Sequence, residues 1–399
     1  MLSIWKKIET WLTGPIDPIT QHNMRVDLVS AMLVGFMLGA NGFIPVVLRR
    51  LGASPTELAI FNMLFYIGIA LSGVGMLLMR GMSPLTFSSL CWGLGRVSLF
   101  FIALVTNVPG FLVVTGFYSL FISLAGPAYS RLVTDMFAPE ARGKVMALVR
   151  VGMALVMMLY TPLAGWILDT LGYRVLFPAS AAIALISLII FQKVKVSREP
   201  VPMESMETSR DTYNPFTYPR SFVIHLGALI LLGLGGMIPF SIIPIIQVDQ
   251  LKLSYTELGW LNLVMNLFWL VGYFLAGRLV DRWGAVRVVQ LGALMNMLWL
   301  APYLFASQGW MLLPAFVAAG FANACIDLGF FNAVLQLNPQ NRVMQATSLQ
   351  SLVIGARGLV SPFIGVGMLS LGASYATVLL VALGFSLSAV LVIFLIRTR

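Results

Sequence analysis

The chain has 399 residues, of which 59% are hydrophobic and only 10% are charged, and its mean hydropathy is +0.91. A soluble protein carries about a quarter charged residues to keep its surface wet, so this composition excludes a soluble globular protein and indicates a surface that faces lipid. The net charge of +10 does not indicate a nucleic-acid partner, because the basic residues lie at the ends of apolar runs and form no basic face with interleaved aromatic side chains.

Residues 1–24 are predicted to form a cytoplasmic amphipathic segment ahead of the first apolar run. Trp5, Ile8 and Leu12 share one face of a helix, while Lys6 and Lys7 lie elsewhere. A helix of this kind lies on the membrane surface, and the segment lacks the pattern of a cleavable signal peptide.

Twelve apolar runs follow, each close to the length of about 20 residues that a helix needs to cross a bilayer. They are predicted at 27–48, 56–79, 84–106, 110–136, 144–169, 173–193, 221–248, 255–279, 286–306, 310–337, 343–369 and 374–396. The predicted fold is an all-α membrane protein with twelve transmembrane helices in two pseudo-symmetric six-helix bundles, at 25–195 and 220–399. The polar stretch 196–219 is predicted to be a cytoplasmic linker between them.

The two halves repeat each other at an interval of about 200 residues, and the repeat falls on the loops between apolar runs. Ser54 and Glu57 recur as Ser254 and Glu257, and the dipeptides Leu171-Gly172 and Thr161-Pro162 recur as Leu371-Gly372 and Ser361-Pro362. Duplicated helix bundles of this kind are typical of transporters that work by alternating access.

The Lys and Arg residues predict the orientation in the membrane. Of the 25 in the chain, 18 lie on one set of connections, and only four lie on the opposite set, namely Arg49, Arg50, Arg174 and Lys252. Basic residues accumulate on the cytoplasmic side, so both termini and the linker are predicted to be cytoplasmic, with the chain in the inner membrane. The other three basic residues, Arg96, Arg150 and Arg357, fall inside predicted spans.

The connection between the eighth and ninth spans carries a sequence motif. It reads Gly277-Arg278-Leu279-Val280-Asp281-Arg282-Trp283-Gly284-Ala285-Val286-Arg287, and it resembles the G-x-L-x-D-R-x-G-x-x-R signature of the major facilitator superfamily. The resemblance implies a secondary transporter with a cytoplasmic gate at this loop. Gly277 would allow close helix approach, Gly284 would support a tight turn, and Asp281 would cap a neighbouring helix. Arg282 and Arg287 would pair with carboxylates that separate during the transport cycle.

The connection between the fourth and fifth spans extends the resemblance across the chain. The stretch from Asp135 to Lys144 is similar to the acidic and P-x-x-R-G sequence of the superfamily, and we assign Arg131, Asp135, Arg142 and Arg342 to the same predicted gate. A solvated pair of Arg131 with Asp135, one helical turn apart, is an alternative. Two features depart from the family: Met79 stands where an Asp is expected, and the first span around Asn41 lacks the membrane acid typical of proton-driven drug antiporters.

Ionisable residues inside a span are candidates for function because a charge in lipid is costly. Asp327 is predicted to be the only acid deep in the bilayer, as a proton-coupling or substrate-binding carboxylate, and Arg357 lies at a similar depth on the next span. The two could form a functional ion pair or a static one. Arg96 is predicted to have either a structural or a cavity role, and Arg150 either extends towards the cytoplasm or takes part in anion binding or gating.

Further polar and aromatic side chains fall on spans that line the cavity in the superfamily, although packing is an alternative role for each. They are Asn41, Tyr118, Ser123, Asn323, Phe331 and Asn332. The sequence carries no catalytic constellation and no metal-binding pattern, so we expect neither an enzyme nor a bound cofactor.

These features predict a secondary transporter that moves a small organic solute. Proton-coupled export of an amphiphilic or drug-like compound is favoured, because the cavity positions are mostly apolar and the stretch from Thr161 to Gly165 is similar in part to an element of exporters. The alternatives are uptake of an organic anion, a lipid or lysolipid flippase, and a sensor on the same fold that transports nothing. The expected partners are the substrate, protons and the lipid bilayer, and the chain is expected to be a monomer.

Overall fold

A computed structural model describes residues 16–196, 217–339 and 342–396. Most of the predicted N-terminal segment and of the linker therefore lies outside the described residues. The helices are α1 Pro18–Arg50, α2 Pro55–Leu78, α3 Pro84–Leu104, α4 Val108–Met136, α5 Pro139–Thr170, α6 Tyr173–Phe191, α7 Arg220–Gln250, α8 Tyr255–Trp283, α9 Ala285–Leu304, α10 Gly309–Leu337, α11 Val343–Ser370 and α12 Tyr375–Phe394.

The predicted fold class is confirmed. In the part of the chain that the structure describes, 11 helices are long and apolar enough to cross a bilayer, and the described apolar part of α2, Pro55–Ile69, is shorter. The chain is thus an integral membrane protein with twelve helices. Each helix lies at a predicted apolar run. Lipid offers no hydrogen-bond partners, so an apolar run crosses it as a helix, in which the backbone N–H and C=O groups bond to each other.

The start of α1 differs from the prediction. The helix begins at Pro18 rather than at residue 27, because the Asp17 carboxylate accepts a hydrogen bond from the Thr20 backbone at 2.9 Å and proline occupies the first helical position. Hydrogen bonds from Thr20 also lower the pKa of Asp17. The polar residues between Pro18 and Val26 are therefore helical, and Asp27 lies inside the helix rather than at its end.

The sequence repeat corresponds to repeated helix caps. The Ser54 hydroxyl accepts from the Glu57 backbone at 3.3 Å while the Glu57 carboxylate accepts from the Ser54 backbone at 2.8 Å. Ser254 and Glu257 form the same reciprocal pair, at 3.1 and 2.8 Å. This capping box begins α2 in the first half and α8 in the second.

Loop conformation repeats as well. Gly172 and Gly372 end α5 and α11 with positive φ values of 80° and 86°, where a glycine avoids the clash that a side chain would suffer. Gly52 has a φ of 95°, and its repeat partner Lys252 has a φ of 50°. The backbone conformation is thus kept at this position although the glycine is not.

The chain divides into two compact units, one of residues 1–44 and 68–204 and the other of residues 45–67 and 205–399. Residues 45–67, which the sequence places in the first bundle, group with the second unit. In the first unit α1 packs against α5 and α6, and α3 packs against α4. In the second unit α10 packs against both α8 and α9, while α7 packs against α11 and α12. The assignment of functional domains stays a prediction.

Candidate functional site

Asp27 is a buried acid that the sequence analysis missed. It lies on α1 with only 3% of its surface exposed, nine residues into the helix and therefore about 14 Å from the start. The Tyr129 hydroxyl on α4 donates to its carboxylate at 3.2 Å. Arg150 on α5 is near enough to act on it electrostatically. The expectation that Asp327 is the only deep acid is therefore wrong, because the cap at Asp17 lengthens α1 and brings Asp27 within the span.

Asp327 lies on α10 and accepts a hydrogen bond from the Tyr273 hydroxyl of α8 at 2.7 Å. It is exposed on the surface of the second unit. Within the described ranges it has no ion-pair partner, so the possible pair with Arg357 is not formed. Each unit thus holds one membrane-depth carboxylate that accepts from a tyrosine.

Arg357 occupies a different environment on α11. Its guanidinium donates to the carbonyl of Leu229 on α7 and lies 5.8 Å from the centre of the Phe330 ring. Its stem passes directly over Gly233, where an added Cβ would lie 2.1 Å from the Arg357 Cδ. The glycine on α7 therefore makes room for the arginine.

Tyr66 is a second residue that the sequence analysis missed. A Cβ at Gly358 would lie 2.3–2.6 Å from the ring atoms of Tyr66, so the ring packs directly on this backbone, next to Arg357. The hydroxyl and the guanidinium interact electrostatically. No local sequence signal connects residues 291 positions apart.

Arg96 on α3 is buried and bonded to a neighbouring helix. It is 4% exposed and donates to the Ala184 carbonyl at 2.6 Å and the Ser187 hydroxyl at 3.0 Å, both on α6. Its guanidinium also lies 5.6 Å from the centre of the Trp92 ring. These bonds join α3 to α6 and support the structural alternative. Arg150, by contrast, is exposed and its charge acts on Asp27 and Tyr129.

Three of the predicted cavity residues lie in the first unit. Both polar atoms of the Asn41 side chain are enclosed, and neither has a hydrogen-bond partner among the described residues. Tyr118 lies close enough to Arg96 for an electrostatic interaction. Ser123 packs against Gly68, since a Cβ there would lie 2.7 Å from the Ser123 hydroxyl. The Tyr118 hydroxyl also lies near enough to the Asn41 side chain to interact with it.

The other three predicted cavity residues lie on α10. Asn332 donates to the Leu328 carbonyl of its own helix at 2.8 Å, which supports a packing role. Asn323 is half-buried. The side chain of Phe331 lies outside the described structure. Three of the six residues thus belong to the first unit and three to the second.

The predicted gate loop has the expected turn but a different cap. Gly284 ends α8 with a φ of 83°, as a tight turn requires. The N-terminus of α9 is capped by Gln336, whose side-chain oxygen accepts from the Ala285 backbone at 2.9 Å. A side chain from α10 thus takes the position at α9, and in the described part of the chain the cap predicted for Asp281 is not formed.

The helix approach predicted at Gly277 is wrong. A Cβ there would meet no atom of the described residues within 4 Å. In the corresponding part of the first half, just ahead of Met79, a glycine does allow a close approach, since a Cβ at Gly75 would lie 2.3 Å from the Leu124 carbonyl oxygen. Asp281, Arg282 and Arg287 are exposed, and in the described part of the chain none of them forms an ion pair. Their gating role stays a prediction.

The remaining predicted gate residues stabilise local structure. Arg131 and Asp135 form a pair at 3.4 Å within one turn of α4, with side chains 54% and 30% exposed, which is the solvated alternative. Arg142 donates to the Thr134 carbonyl at 3.1 Å and the Phe137 carbonyl at 3.3 Å, so it satisfies carbonyls at the end of α4. Arg342 donates to the Thr217 carbonyl ahead of α7 at 2.6 Å.

Two arginines at the end of α1 make contacts that the sequence analysis did not predict. Arg49 forms a bidentate ion pair with Asp249 of α7, with its Nε 3.0 Å from one carboxylate oxygen and 3.3 Å from the other. Arg50 donates to the Leu253 carbonyl at 2.6 Å and lies 3.7 Å above the Tyr255 ring. These residues all lie in the second unit. The sequence offered one signal for this contact, because Arg49 and Asp249 are separated by 200 residues, the interval of the repeat.

A comparison with protein families shows which family this architecture represents. The family model described as Major Facilitator Superfamily matches residues 28–220 and 224–399. The chain belongs to the major facilitator superfamily. Members of this superfamily are transporters rather than enzymes, and they bind small-molecule substrates, often with proton coupling.

Two curated relatives of this superfamily transporter match part of the chain. The chloramphenicol resistance protein CraA of Acinetobacter baumannii is 26% identical over 212 residues, which are 53% of this chain and 50% of that protein. The MFS-type transporter pynF of Aspergillus niger is 29% identical over 153 residues, 38% of this chain and 35% of that protein. The matched region thus spans half or less of each relative.

Solved structures of other transporters share the fold over nearly the whole chain. The nucleoside transporter NupG has a TM-score of 0.73 at 14% identity, covering 95% of this chain and 99% of that one. A peptide transporter POT in complex with sulfate has a TM-score of 0.73 at 15% identity, with 96% and 95% covered. These likenesses establish the fold and leave the substrate to be inferred from the site.

Proposed function

We propose that this transporter exports small amphiphilic organic molecules in exchange for protons, with Asp27 as the proton-carrying carboxylate. The observation that carries the proposal is the burial of Asp27, to which the described residues offer a single neutral hydrogen-bond donor, the Tyr129 hydroxyl at 3.2 Å. An ionised carboxylate in such a place is costly because one hydroxyl replaces several water molecules. Protonation removes that cost, while the positive charge of Arg150 favours the ionised state.

Burial favours the protonated form of Asp27 and the charge of Arg150 favours the ionised form, so small movements can change its protonation state. Tyr129 and Arg150 come from α4 and α5, so movement of either helix relative to α1 would change the balance between the protonated and ionised forms. Alternating access requires helix movements of this kind. Substrate binding and proton release can therefore be linked through the position of these two helices.

Asp327 is proposed to contact the substrate rather than to carry the proton. It is exposed, so its ionised form is less costly than that of Asp27. The Tyr273 hydroxyl at 2.7 Å holds the carboxylate in one orientation. A fixed and accessible polar group among apolar walls is the usual means of orienting a small molecule.

Export is supported by the relative CraA, whose name describes chloramphenicol resistance, and by the apolar character of the chain around these few polar groups. The distribution of Lys and Arg supports an inner-membrane location with both termini in the cytoplasm, and we propose that the transporter is a monomer.

The test is transport by the purified full chain in proteoliposomes, with chloramphenicol and a panel of lipophilic dyes as probes. We expect an imposed pH gradient to drive accumulation of at least one probe. Asp27→Asn should abolish this accumulation while it retains exchange of labelled for unlabelled probe, because exchange needs no net proton movement. Glu140→Gln, an exposed acid in the first turn of α5, is the matched control. Gradient-driven accumulation by Asp27→Asn at the wild-type rate would exclude this coupling role.

A further inference from the structure

Arg357 is a membrane-depth cation whose hydrogen bonds are mostly unused. It lies 14 residues into α11, about 21 Å from the start of the helix. One guanidinium nitrogen donates to Leu229, and Nε is enclosed without a partner among the described residues. An arginine offers five N–H donors, so this side chain has capacity for an acceptor that the described residues do not supply.

The counter-charge is also missing from the described part of the second unit. Asp327, the acid at comparable depth, accepts from Tyr273 instead, and Arg357 takes part in no ion pair within the described ranges. Arg96 provides the contrast, since its two bonds to Ala184 and Ser187 hold it against α6. The Arg96 Nε is also enclosed without a partner among the described residues, but Arg96 is 4% exposed and makes two hydrogen bonds, whereas Arg357 is partly exposed and makes one.

The surroundings hold Arg357 in one place. The Gly233 backbone makes room for its stem on α7, and Phe330 on α10 presents its ring to the guanidinium at 5.8 Å. A cation fixed in this way loses little conformational freedom when an anion binds, because its side chain is already ordered.

Tyr66 adds a planar aromatic surface beside this cation. Its ring lies on the backbone of Gly358, where any larger residue would displace it, and Tyr66 and Arg357 are both partly exposed residues. A ligand with a flat apolar body and a negatively charged group can contact both at once.

We propose that Arg357 and Tyr66 form a subsite for the anionic group of the transported molecule, and that the substrates of this transporter include aromatic carboxylates. The carboxylate accepts from the free guanidinium N–H groups of Arg357 while the aromatic body packs against Tyr66. The inference rests on the proposed function as a small-molecule exporter and narrows its substrate class.

The test compares naphthoate with the uncharged naphthamide, which has the same aromatic body. Equilibrium dialysis against the full chain in phosphatidylcholine nanodiscs should show that wild type binds naphthoate about ten- to a hundredfold more tightly, as expected for charge-assisted hydrogen bonds. Arg357→Gln should remove this ratio and leave naphthamide binding unchanged. Arg96→Gln, which changes a buried arginine that two hydrogen bonds hold against α6, should keep the ratio. A wild type without preference, or an Arg357→Gln variant that keeps it, overturns the proposal.

A second measurement uses only the wild-type chain, in case Arg357→Gln does not fold. Phenylglyoxal modifies accessible arginines, and mass spectrometry of the peptide containing Arg357 reports the extent. Naphthoate should protect Arg357 and naphthamide should not; equal modification with either probe contradicts the proposal. The result is separate from proton coupling, since the Asp27→Asn assay includes the uncharged probe chloramphenicol, whose transport needs no anion site. If naphthoate is not preferred but Asp27→Asn still abolishes accumulation, the anion subsite fails and proton coupling stands. If naphthoate is preferred but Asp27→Asn keeps accumulation, proton coupling fails and the anion subsite stands.

Discussion

Arg49 and Asp249 form an ion pair although they stand 200 residues apart, which is the interval of the sequence repeat. The two positions correspond in the two halves but carry opposite charges. A repeat partner that had kept the arginine would have placed two like charges together, so the attraction depends on this departure from symmetry. The neighbouring Arg50 adds its contacts with Leu253 and Tyr255 at the same place.

Removal of either partner should lower stability by a similar and small amount. The side chains are 24% and 39% exposed, and such pairs contribute about 0.2–1 kcal/mol. We expect Arg49→Ala and Asp249→Ala each to lower the thermal unfolding temperature of the purified chain, and the double variant to lose less than the sum of the two. Arg174→Ala, a basic residue with no ion pair among the described residues, is the control. Strict additivity would mean that the pair does not stabilise the protein.

The repeated loop geometry at Gly372 leads to a second prediction. Its φ of 86° costs a non-glycine residue about 1–2 kcal/mol, so Gly372→Ala should measurably lower the unfolding temperature. Gly367→Ala is the matched control, because Gly367 lies within α11 and a Cβ there meets no atom within 4 Å. An equal effect of the two substitutions would show that the backbone conformation at Gly372 is not the cause.

The correction at Gly277 leads to a third prediction. A Cβ at Gly320 would lie 2.4 Å from the Met265 carbonyl oxygen, whereas a Cβ at Gly277 would lie in open space. We therefore expect Gly320→Ala to destabilise the packing of α10 on α8 by about 1–3 kcal/mol, and Gly277→Ala to leave the unfolding temperature unchanged. Size-exclusion chromatography at increasing temperature measures both. If Gly277→Ala lowered the unfolding temperature, this result would support the close helix packing at Gly277 that the motif predicted.

The helices were predictable because hydropathy is a local property of the sequence, and each apolar run became a helix. The start of α1 could not be predicted from hydropathy, because residues 18–26 include many polar side chains. The cap formed by Asp17 and Thr20 begins the helix ahead of them. This error concealed Asp27. A search for Asp-Pro ahead of the run would have found the start, because this pair is a recognised beginning of helices.

The contacts within the candidate sites were beyond the reach of local patterns. Asp281 lies close to the N-terminus of α9 in sequence, yet Gln336 caps that helix from α10. Tyr66 meets Gly358 and Arg357 through helix packing alone. The residue types at membrane depth could therefore be identified from the sequence, whereas their partners depend on how the helices pack.

The two membrane-depth acids differ in burial, and this difference separates their proposed roles. Asp27 is buried and Asp327 is exposed, so the ionised state is more costly at Asp27 and its proton is better suited to drive a conformational change. In proteoliposomes with an imposed pH gradient, we expect Asp327→Asn to keep accumulation of an uncharged probe within about threefold of wild type once the probe is saturating, because a lost contact weakens binding by about 1 kcal/mol or more. Asp27→Asn should lose accumulation at every probe concentration. If Asp327→Asn alone abolished accumulation, the proton would be carried by the second unit, and the Tyr273 hydroxyl would be the first partner to test by Tyr273→Phe.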